Sequence, residues 1–271
     1  MTVDQRIALI GYGEAASTFA RAGEWGGSAR GFDLLFERRA LLANDGMKAS
    51  GSAADAVAGA TLVLSLVTAD QALAAAEAAA PSLPRGALWC DMNSVAPATK
   101  RAAAQSVEAH GGLYVDVAVL APVDPLRLAV PLLLSGAAAN DAAGRLANLG
   151  FTDVRVVGNE VGRASAIKLI RSVMVKGIEA LTAEMMLAAE AAGVTDEVLA
   201  SLDASERAKP WTARAAYNLE RMATHGTRRA VEMEEAARCL ESLGIEPQMT
   251  RATVVRQREA ASAKPKRSRA A

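Results

Sequence analysis

Residues 6–16, with the sequence RIALIGYGEAA, decide the fold of the first half of the chain. They join a short apolar run, predicted as a β-strand, to a predicted helix at 14–22 through the pattern G-x-G-x-x-A. In a dinucleotide-binding turn of this kind the first glycine makes the tight turn. The second lets a pyrophosphate approach the backbone, and the third small residue packs helix on strand. The start of the helix offers N–H groups to the phosphates. We therefore predict cofactor contacts from Gly11, Tyr12, Gly13, Glu14, Ala15 and Ala16.

A carboxylate follows this turn at the expected interval. Asp33 closes the next predicted strand (29–33), about 20 residues on, where an acidic side chain can accept a hydrogen bond from the ribose 2′-hydroxyl. It would repel a 2′-phosphate, and the residues directly after it (34–36) supply no cation, since both arginines that follow are predicted to lie on the next helix. The pattern favours NAD, with NADP as the alternative. Val67 and Thr68, after the strand predicted at 62–66, complete the predicted cofactor contacts.

The first half continues as alternating strands and helices. Further strands are predicted at 88–91, 113–119, 131–135 and 154–157, with helices at 71–80 and 97–110 between them. Alternation of this kind indicates βαβ units, and nearly continuous apolar strands indicate a parallel sheet covered on both faces. The fold class predicted for residues 1–160 is therefore an α/β, doubly wound Rossmann domain.

After Gly158 the sequence becomes helical. Residues 163–192 contain no proline, and Ile170, Met174, Ile178 and Leu181 recur at helical spacing. Further helices are predicted at 196–202, 211–222, 227–243 and 247–259. We predict an all-α second domain over 161–260, serving substrate binding and dimerisation, and a disordered tail at 261–271.

Composition restricts the partners. Thirty basic and thirty acidic residues cancel, so no net field attracts nucleic acid or an anionic membrane surface. No run of about 18 uncharged apolar residues suggests a membrane span, and the two cysteines form no CxxC pair. The sequence predicts a cytoplasmic protein with a small-molecule substrate.

Four motifs together resemble the β-hydroxyacid dehydrogenase superfamily, the relatives of 3-hydroxyisobutyrate and 6-phosphogluconate dehydrogenases. They are GYGEAA at 11–16, DMNS at 91–94 with Pro97, DVAV at 116–119 and GRASAIK at 162–168. The segment HGTRRAVEMEE at 225–235 resembles a poorly characterised 6-phosphogluconate-dehydrogenase-like branch. The resemblance implies a Rossmann domain, an all-helical second domain, a cleft between them and a homodimer.

By this resemblance Lys168 is the catalytic residue. Hydride transfer at a carbinol carbon needs a group that moves the hydroxyl proton and stabilises the developing oxyanion, and a partly desolvated lysine can do both. The alternative is a lysine that extends along the flank of its helix without a chemical role.

Two positions depart from the family pattern. Relatives carry an asparagine four residues after the lysine, where this chain has Ser172. Ser172 still shares a helix face with Lys168, and we predict that it is a second catalytic residue, making a shorter version of the asparagine's hydrogen bond. Relatives also bind the substrate carboxylate with a Ser-Gly-Gly loop, and here the loop reads Leu120-Ala121-Pro122. We expect Arg171 to replace that loop as the group that binds an acidic substrate. An ordinary surface arginine is the alternative.

Five more residues are predicted to bind substrate, among them Leu120 of that loop. Asn93 and Ser94 follow a parallel strand at the edge where open α/β sheets bind ligands, with helix capping before Pro97 as the alternative. His225 and Arg229 are expected to enter the cleft from the helical domain, although a loop histidine beside Gly226 is also consistent with simple exposure. A solvated helix face explains Glu232 and Glu235 better than a metal pair does.

Three functions fit this sequence. The first is a NAD(P)-dependent dehydrogenase or reductase acting on a hydroxy-acid-like or carbonyl substrate. The second is an imine reductase on the same fold, and the third is a dinucleotide-binding sensor without catalysis. Lys168 in its motif favours an enzyme over a sensor.

Overall fold

The computed structural model describes residues 6–205 and 210–262, apart from the side chains at positions 232, 235 and 238. The interpretation of Glu232 and Glu235 as a solvated helix face therefore concerns side chains outside the described ones. The same holds for positions 263–271 of the predicted tail, whereas 261–262 are helical.

A single sheet of eight strands organises the first part of the chain. The strands are β1 (Ile7–Ile10), β2 (Ala29–Phe32), β3 (Lys48–Ala49), β4 (Leu62–Ser65), β5 (Leu88–Asp91), β6 (Leu113–Val119), β7 (Leu132–Ser135) and β8 (Val154–Gly158). The helices between them are α1 (Glu14–Ala22), α2 (Phe36–Asn44), α3 (Ala53–Val57), α4 (Ala72–Ala79), α5 (Pro97–Ala109) and α6 (Ala139–Asn148).

The strand order is β3-β2-β1-β4-β5-β6-β7-β8, and every pairing except β6 with β7 is parallel. The predicted α/β class is confirmed. The order reverses between β1 and β4, where the connections leave in opposite directions and open a crevice at the carboxyl ends of the strands.

Burial explains why these segments form strands. Every residue of β1, β4, β5 and β7 is buried, as expected for a sheet with helices on both faces. β7 turns back antiparallel because the chain between β6 and β7 contains only a single helical turn at Arg127–Ala129, too short for a parallel crossover.

The sequence did not reveal three elements, namely β3, α3 and α6. β3 and α3 are only two and five residues long, too short to show periodicity. α6 contains Asn140, Asp141 and Gly144, which are weak helix formers, yet its Ala142 and Leu146 are fully buried against the sheet.

The remaining described chain forms four helices: α7 (Arg163–Ala192), α8 (Thr195–Ser205), α9 (Trp211–Ser242) and α10 (Gln248–Ser262). α7 begins and ends where the sequence predicts, and Gly193 terminates it in the left-handed conformation (φ +68°). The chain divides into two compact units after Ser172, so the first turns of α7 belong to the unit that contains the sheet.

The prediction of two helices separated at Gly226 was wrong, because α9 runs unbroken through that position. A side chain on Gly226 would collide with the backbone oxygen of Gln257, so this glycine provides room for α10 to pack closely. His225 is consequently an exposed helical residue and not part of a loop. No helix in the described ranges is long and apolar enough to cross a membrane.

Candidate active site

A cavity of about 700 Å³ opens at the carboxyl ends of β1 and β4, where the strand order reverses. This volume lies within the range of small-molecule and cofactor sites. The wall includes seven of the predicted cofactor contacts: Gly11, Gly13, Glu14, Ala15, Asp33, Val67 and Thr68. The other two, Tyr12 and Ala16, do not line it.

The glycine turn has the geometry that phosphate binding requires. Gly11 has φ +89°, and a side chain there would collide with the backbone oxygen of Leu66. Gly13 differs, because a Cβ at this position would meet no atom within 4 Å and would point into open space. No side chain caps α1, so its first N–H groups face the cavity unengaged by a cap. The residues therefore fit a pyrophosphate.

Tyr12 of the glycine turn points its side chain into the protein interior. Its side chain is fully buried, and its hydroxyl donates to Asp45 Oδ2 at 2.7 Å, while Arg21 also bonds Asp45. Burial, together with the bond to Asp45, raises the pKa of Tyr12, so the hydroxyl remains a donor. Only the backbone of Tyr12 faces the ligand side, where its N–H donates to Asp33 Oδ2 at 2.7 Å.

Asp33 is held in place by two backbone N–H groups, from Tyr12 and from Leu35 (2.9 Å to Oδ1). Each carboxylate oxygen keeps a further lone pair that can accept from a ribose hydroxyl. Asp33 thus lies in the cavity wall with its carboxylate fixed by the backbone.

Residues 34–36 supply no cation and both following arginines lie on α2, as predicted, but one of these arginines borders the cavity. Arg38, on the first turn of α2, lines the same cavity, and no residue in the described ranges engages its guanidinium in a hydrogen bond or ion pair. The guanidinium of Arg39 is already engaged by the backbone, since its Nη1 donates to the carbonyls of Asp33 (2.6 Å) and Leu34 (2.9 Å). One fixed carboxylate and one guanidinium therefore border the same cavity.

Asn93 fixes the wall of the cavity. Its Oδ1 accepts the Val67 N–H at 2.7 Å, and its Nδ2 donates to Ser65 Oγ at 3.0 Å. The capping alternative was wrong, because Ala96 is the N-cap of α5 and no side chain bonds there. Asn93 positions the chain after β4 with both ends of its amide.

Lys168 and Ser94 lie together. Lys168 Nζ donates to Ser94 Oγ at 2.5 Å, and Ser94 is exposed while the lysine is half-buried. Ser172 stands one turn further along α7, but its hydroxyl donates back to the Lys168 carbonyl at 2.9 Å. The structure thus brings together the amine of Lys168 and the hydroxyl of Ser94.

Arg171 holds the loop that departs from the family pattern. Its Nη1 donates to the carbonyl of Leu120 at 3.3 Å, and the side chain is otherwise exposed. His225 and Arg229 belong to α9 in the second unit, where they are exposed and half-buried respectively.

Sequence reasoning missed part of the cavity wall and a buried ionic cluster. The unpredicted lining consists largely of apolar residues that no motif contains: Ile10, Phe32, Leu34, Leu35, Ala53, Leu66, Ala74, Ala75 and Ala78. The cluster is formed by Lys100 with Asp91 and Asp116. Lys100 three residues after Pro97 gives no local signal of burial. The described residues contain no group of three or more side chains suited to a metal ion.

The family comparisons match both parts of the chain. Residues 6–143 match the NAD binding domain of 6-phosphogluconate dehydrogenase. Residues 189–260 match a domain of unknown function, DUF1932.

Solved structures with the same fold extend over nearly the whole chain. A conserved hypothetical protein from Sinorhizobium meliloti 1021 is 38% identical, with 98% of this chain and 92% of that chain covered and a TM-score of 0.64. The conserved protein MTH1747, of unknown function and described as similar to 3-hydroxyacid dehydrogenases, is 29% identical over 94% of this chain and 96% of its own (TM-score 0.63). The imine reductase from Myxococcus stipitatus in complex with NADP⁺ is 22% identical over 94% and 93%, with a TM-score of 0.76. A V8 variant of that enzyme is in complex with NAD⁺.

Proposed function

This chain belongs to the family that carries the NAD binding domain of 6-phosphogluconate dehydrogenase, and we propose that it is a NAD(P)-dependent oxidoreductase with Lys168 as general acid and base. The substrate is a small hydroxy-acid-like or carbonyl compound. When bound, the nicotinamide supplies or accepts the hydride. This chain's residues hold the cofactor, orient the substrate and move the proton.

One observation carries the proposal: two consecutive residues connect the cofactor cavity to Lys168. Asn93 bonds Val67 on the cavity wall, and Ser94, the next residue, accepts a hydrogen bond from Lys168 Nζ. The amine is therefore hydrogen-bonded to the residue that directly follows Asn93, which supports the cavity wall where a nicotinamide would extend from the glycine turn. A lysine without a chemical role would not need this connection.

The proton step follows from the donor inventory. A protonated lysine offers three N–H donors, of which Ser94 accepts one. The ammonium can donate a proton to the oxygen or nitrogen of the substrate during reduction and recover it during oxidation. Ser94 keeps the amine oriented, and its own hydroxyl proton can reach the same substrate atom.

NAD is the proposed cofactor, and NADP remains the alternative. Asp33 supports NAD because its fixed carboxylate offers an acceptor to a hydroxyl and repels a phosphate. Arg38 supports NADP because its guanidinium borders the same cavity. Since Asp33 closes β2 directly and is held by two N–H groups, we assign it the larger effect.

Imine reduction is the second candidate, favoured by the loop at Leu120–Pro122. Pro122 has no N–H, Leu120 has no hydroxyl, and the Leu120 carbonyl is already engaged by Arg171. A loop of this composition lacks the donors that would bind a carboxylate, whereas an imine needs only a proton donor such as Lys168. In this case the imine reductases would share chemistry with this chain as well as a fold.

A homodimer formed through the helical unit is also proposed. Along α7 the side chains of Ile170, Met174, Ile178 and Leu181, which share one helix face, are 72%, 49%, 45% and 44% exposed in the single chain. An apolar stripe of this length on a long helix is expected to be covered. A second copy, related by a two-fold axis, would present the same stripe and cover it.

The proposal is tested by mixing the protein with reduced NADH or NADPH and a panel of ketones, keto acids and imines. Loss of nicotinamide absorbance identifies the substrate class. Turnover of keto acids or ketones supports the first candidate, and turnover restricted to imines supports the second. Tight cofactor binding with no turnover on any member of a broad panel would instead indicate a sensor.

A further inference from the structure

Lys100 is a lysine with no exposed surface, and its ammonium group pairs with two carboxylates. From the first turn of α5 its Nζ donates to Asp91 Oδ1 at 2.9 Å and to the Asp91 carbonyl at 2.6 Å. The same Nζ forms an ion pair with Asp116 Oδ1 at 3.3 Å. All three residues are fully buried. Burying an ammonium is costly unless such partners surround it.

The first carboxylate anchors the turn that carries Ser94. Asp91 ends β5, and its Oδ1 also accepts the Asn93 N–H at 2.9 Å. Its Oδ2 accepts the hydroxyl of Tyr114 at 2.5 Å. Burial and the neighbouring Asp91 carboxylate raise the pKa of Tyr114, so its hydroxyl stays protonated and keeps donating. Asp91 therefore fixes where the Asn93–Ser94 turn leaves the sheet.

The second carboxylate anchors the helix that carries Lys168. Asp116, in β6, accepts through Oδ2 the N–H groups of Gly162 (3.1 Å) and Ser165 (2.9 Å) at the start of α7. Ser135 Oγ donates to the same oxygen at 3.2 Å and accepts the Ala164 N–H at 3.0 Å. A carboxylate at this end of a helix is favoured by the helix dipole. Lys168 follows one turn later.

We propose that Lys100 is a positioning residue that ties these two anchors together, and so sets Ser94 and Lys168 at hydrogen-bonding distance from one another. The role rests on the proposed function, since Lys168 is the residue whose placement it would control. Lys100 does not touch the cofactor cavity and acts only through Asp91 and Asp116.

A merely structural lysine would have a different consequence. Breaking a buried ionic cluster for stability alone loosens the whole sheet-containing unit. If Lys100 ties the two anchors together, its loss loosens two separate segments, the Asn93–Ser94 turn and the first turn of α7. Remote segments then stay as they were. These segments are far apart in sequence, so they can be followed independently.

Hydrogen–deuterium exchange of the full chain distinguishes the two cases. In Lys100→Met, which keeps most of the unbranched side chain and removes its charge, exchange should rise roughly tenfold at both segments and remain unchanged in α6. Leu146→Ala is the control, because it removes a buried side chain of α6 and leaves the cluster intact. A uniform rise across the sheet-containing unit, or a rise at only one of the two segments, would overturn the proposal.

The rate at which trace acetic anhydride acetylates Lys168, measured by peptide mass spectrometry, reports on the hydrogen bond between Lys168 and Ser94. Ser94→Ala removes the hydrogen bond directly and sets the reference rate. Lys100→Met should shift the Lys168 rate in the same direction and by at least half as much on a logarithmic scale, while Leu146→Ala retains the wild-type rate. A wild-type rate in Lys100→Met would contradict the role. A wild-type rate in Ser94→Ala would remove the contact that the role explains. Neither readout needs a substrate, so failure to find turnover leaves this test intact.

If Lys100→Met does not fold, Tyr114→Phe and Ser135→Ala perturb one anchor each while Lys100 remains. Each should raise exchange at its own segment and also, by roughly threefold, at the other segment, because the tie transmits the change. Effects confined to the segment of each variant would show that Lys100 does not couple the anchors.

Discussion

Lys168 Nζ reaches Ser94 Oγ at 2.5 Å although the two residues are 74 positions apart in the chain. Ser94 follows a strand of the sheet, whereas Lys168 lies on the helix that leads out of the sheet-containing unit. The contact places the proposed acid–base residue at the edge where parallel sheets bind ligands. Asn93, next to Ser94, supports the wall of the cofactor cavity, and so binding and chemistry are connected through one turn.

Gly13 should tolerate a side chain structurally but not functionally. A Cβ at Gly13 meets nothing within 4 Å and points into the cavity, so Gly13→Leu should fold normally and lose cofactor binding by at least about a hundredfold, since backbone approach to the pyrophosphate is blocked. Calorimetric titration with NADH and thermal melting provide the two readouts. Gly144→Leu, on the open surface of α6, is the matched control. Unchanged NADH affinity in Gly13→Leu would place the cofactor elsewhere.

Gly11, in the same turn, should not tolerate a side chain structurally. Gly11→Ala should lower the melting temperature, because the added Cβ collides with the backbone oxygen of Leu66.

Cofactor choice depends on Asp33 and Arg38 together. We expect the wild-type protein to bind NADH more tightly than NADPH, because the Asp33 carboxylate is fixed and repels a 2′-phosphate. Arg38→Ala should weaken NADPH binding by roughly tenfold, the loss of one charge-assisted bond, and change NADH binding little. Fluorescence titration of both cofactors measures this. The reverse order of affinities in wild type would contradict the assignment of the larger effect to Asp33.

Arg171 should affect substrate affinity and not the chemical step. If it binds an acidic substrate group, Arg171→Ala raises KM by roughly tenfold to a hundredfold, which corresponds to a lost bond of about 1.5–3 kcal/mol. In the structure its Nη1 donates to Leu120, so the other guanidinium donors remain for a carboxylate. Steady-state kinetics with a keto acid and the matching neutral ketone separate the cases. An unchanged KM for the acid removes this role while leaving Lys168 in place.

The helical unit should mediate dimerisation. Light scattering is expected to give twice the 28.1 kDa chain mass at micromolar concentration. Ile178→Asp, at a 45% exposed position of the apolar stripe, should shift the protein toward monomer because a carboxylate would be buried at the interface. Lys48→Asp, on an exposed position of the edge strand β3, is the control and should remain dimeric. A wild-type monomer would exclude this assembly.

Local patterns predicted most of the sheet-containing unit. The glycine turn, the apolar strands and the uninterrupted helix at Arg163–Ala192 each carry their signal within a few turns of chain. The helix break predicted at Gly226 was wrong, because this glycine makes room for close packing of α10, whose residues lie far along the chain. Sequence spacing alone cannot distinguish a glycine that ends a helix from one that makes room for a neighbour.

The candidate site was predictable in its motifs and not in its connections. Gly11, Gly13 and Asp33 were found because a motif prescribes them. The placement of Ser94 against Lys168 and the burial of Lys100 between Asp91 and Asp116 depend on which strands become neighbours. Arg38 was discounted because it lies on a helix, yet the first turn of that helix borders the cavity. Such relationships are set by the tertiary fold.

The central claim is that Lys168 moves the proton beside a bound nicotinamide, and single-turnover reduction in Lys168→Ala tests it most directly. With cofactor prebound and substrate saturating, the rate of nicotinamide oxidation should fall by roughly a hundredfold or more, while the cofactor dissociation constant stays at its wild-type value. Lys48→Ala should match wild type in both measurements. A Lys168→Ala protein that reduces substrate at the wild-type rate would contradict the mechanism proposed for this protein.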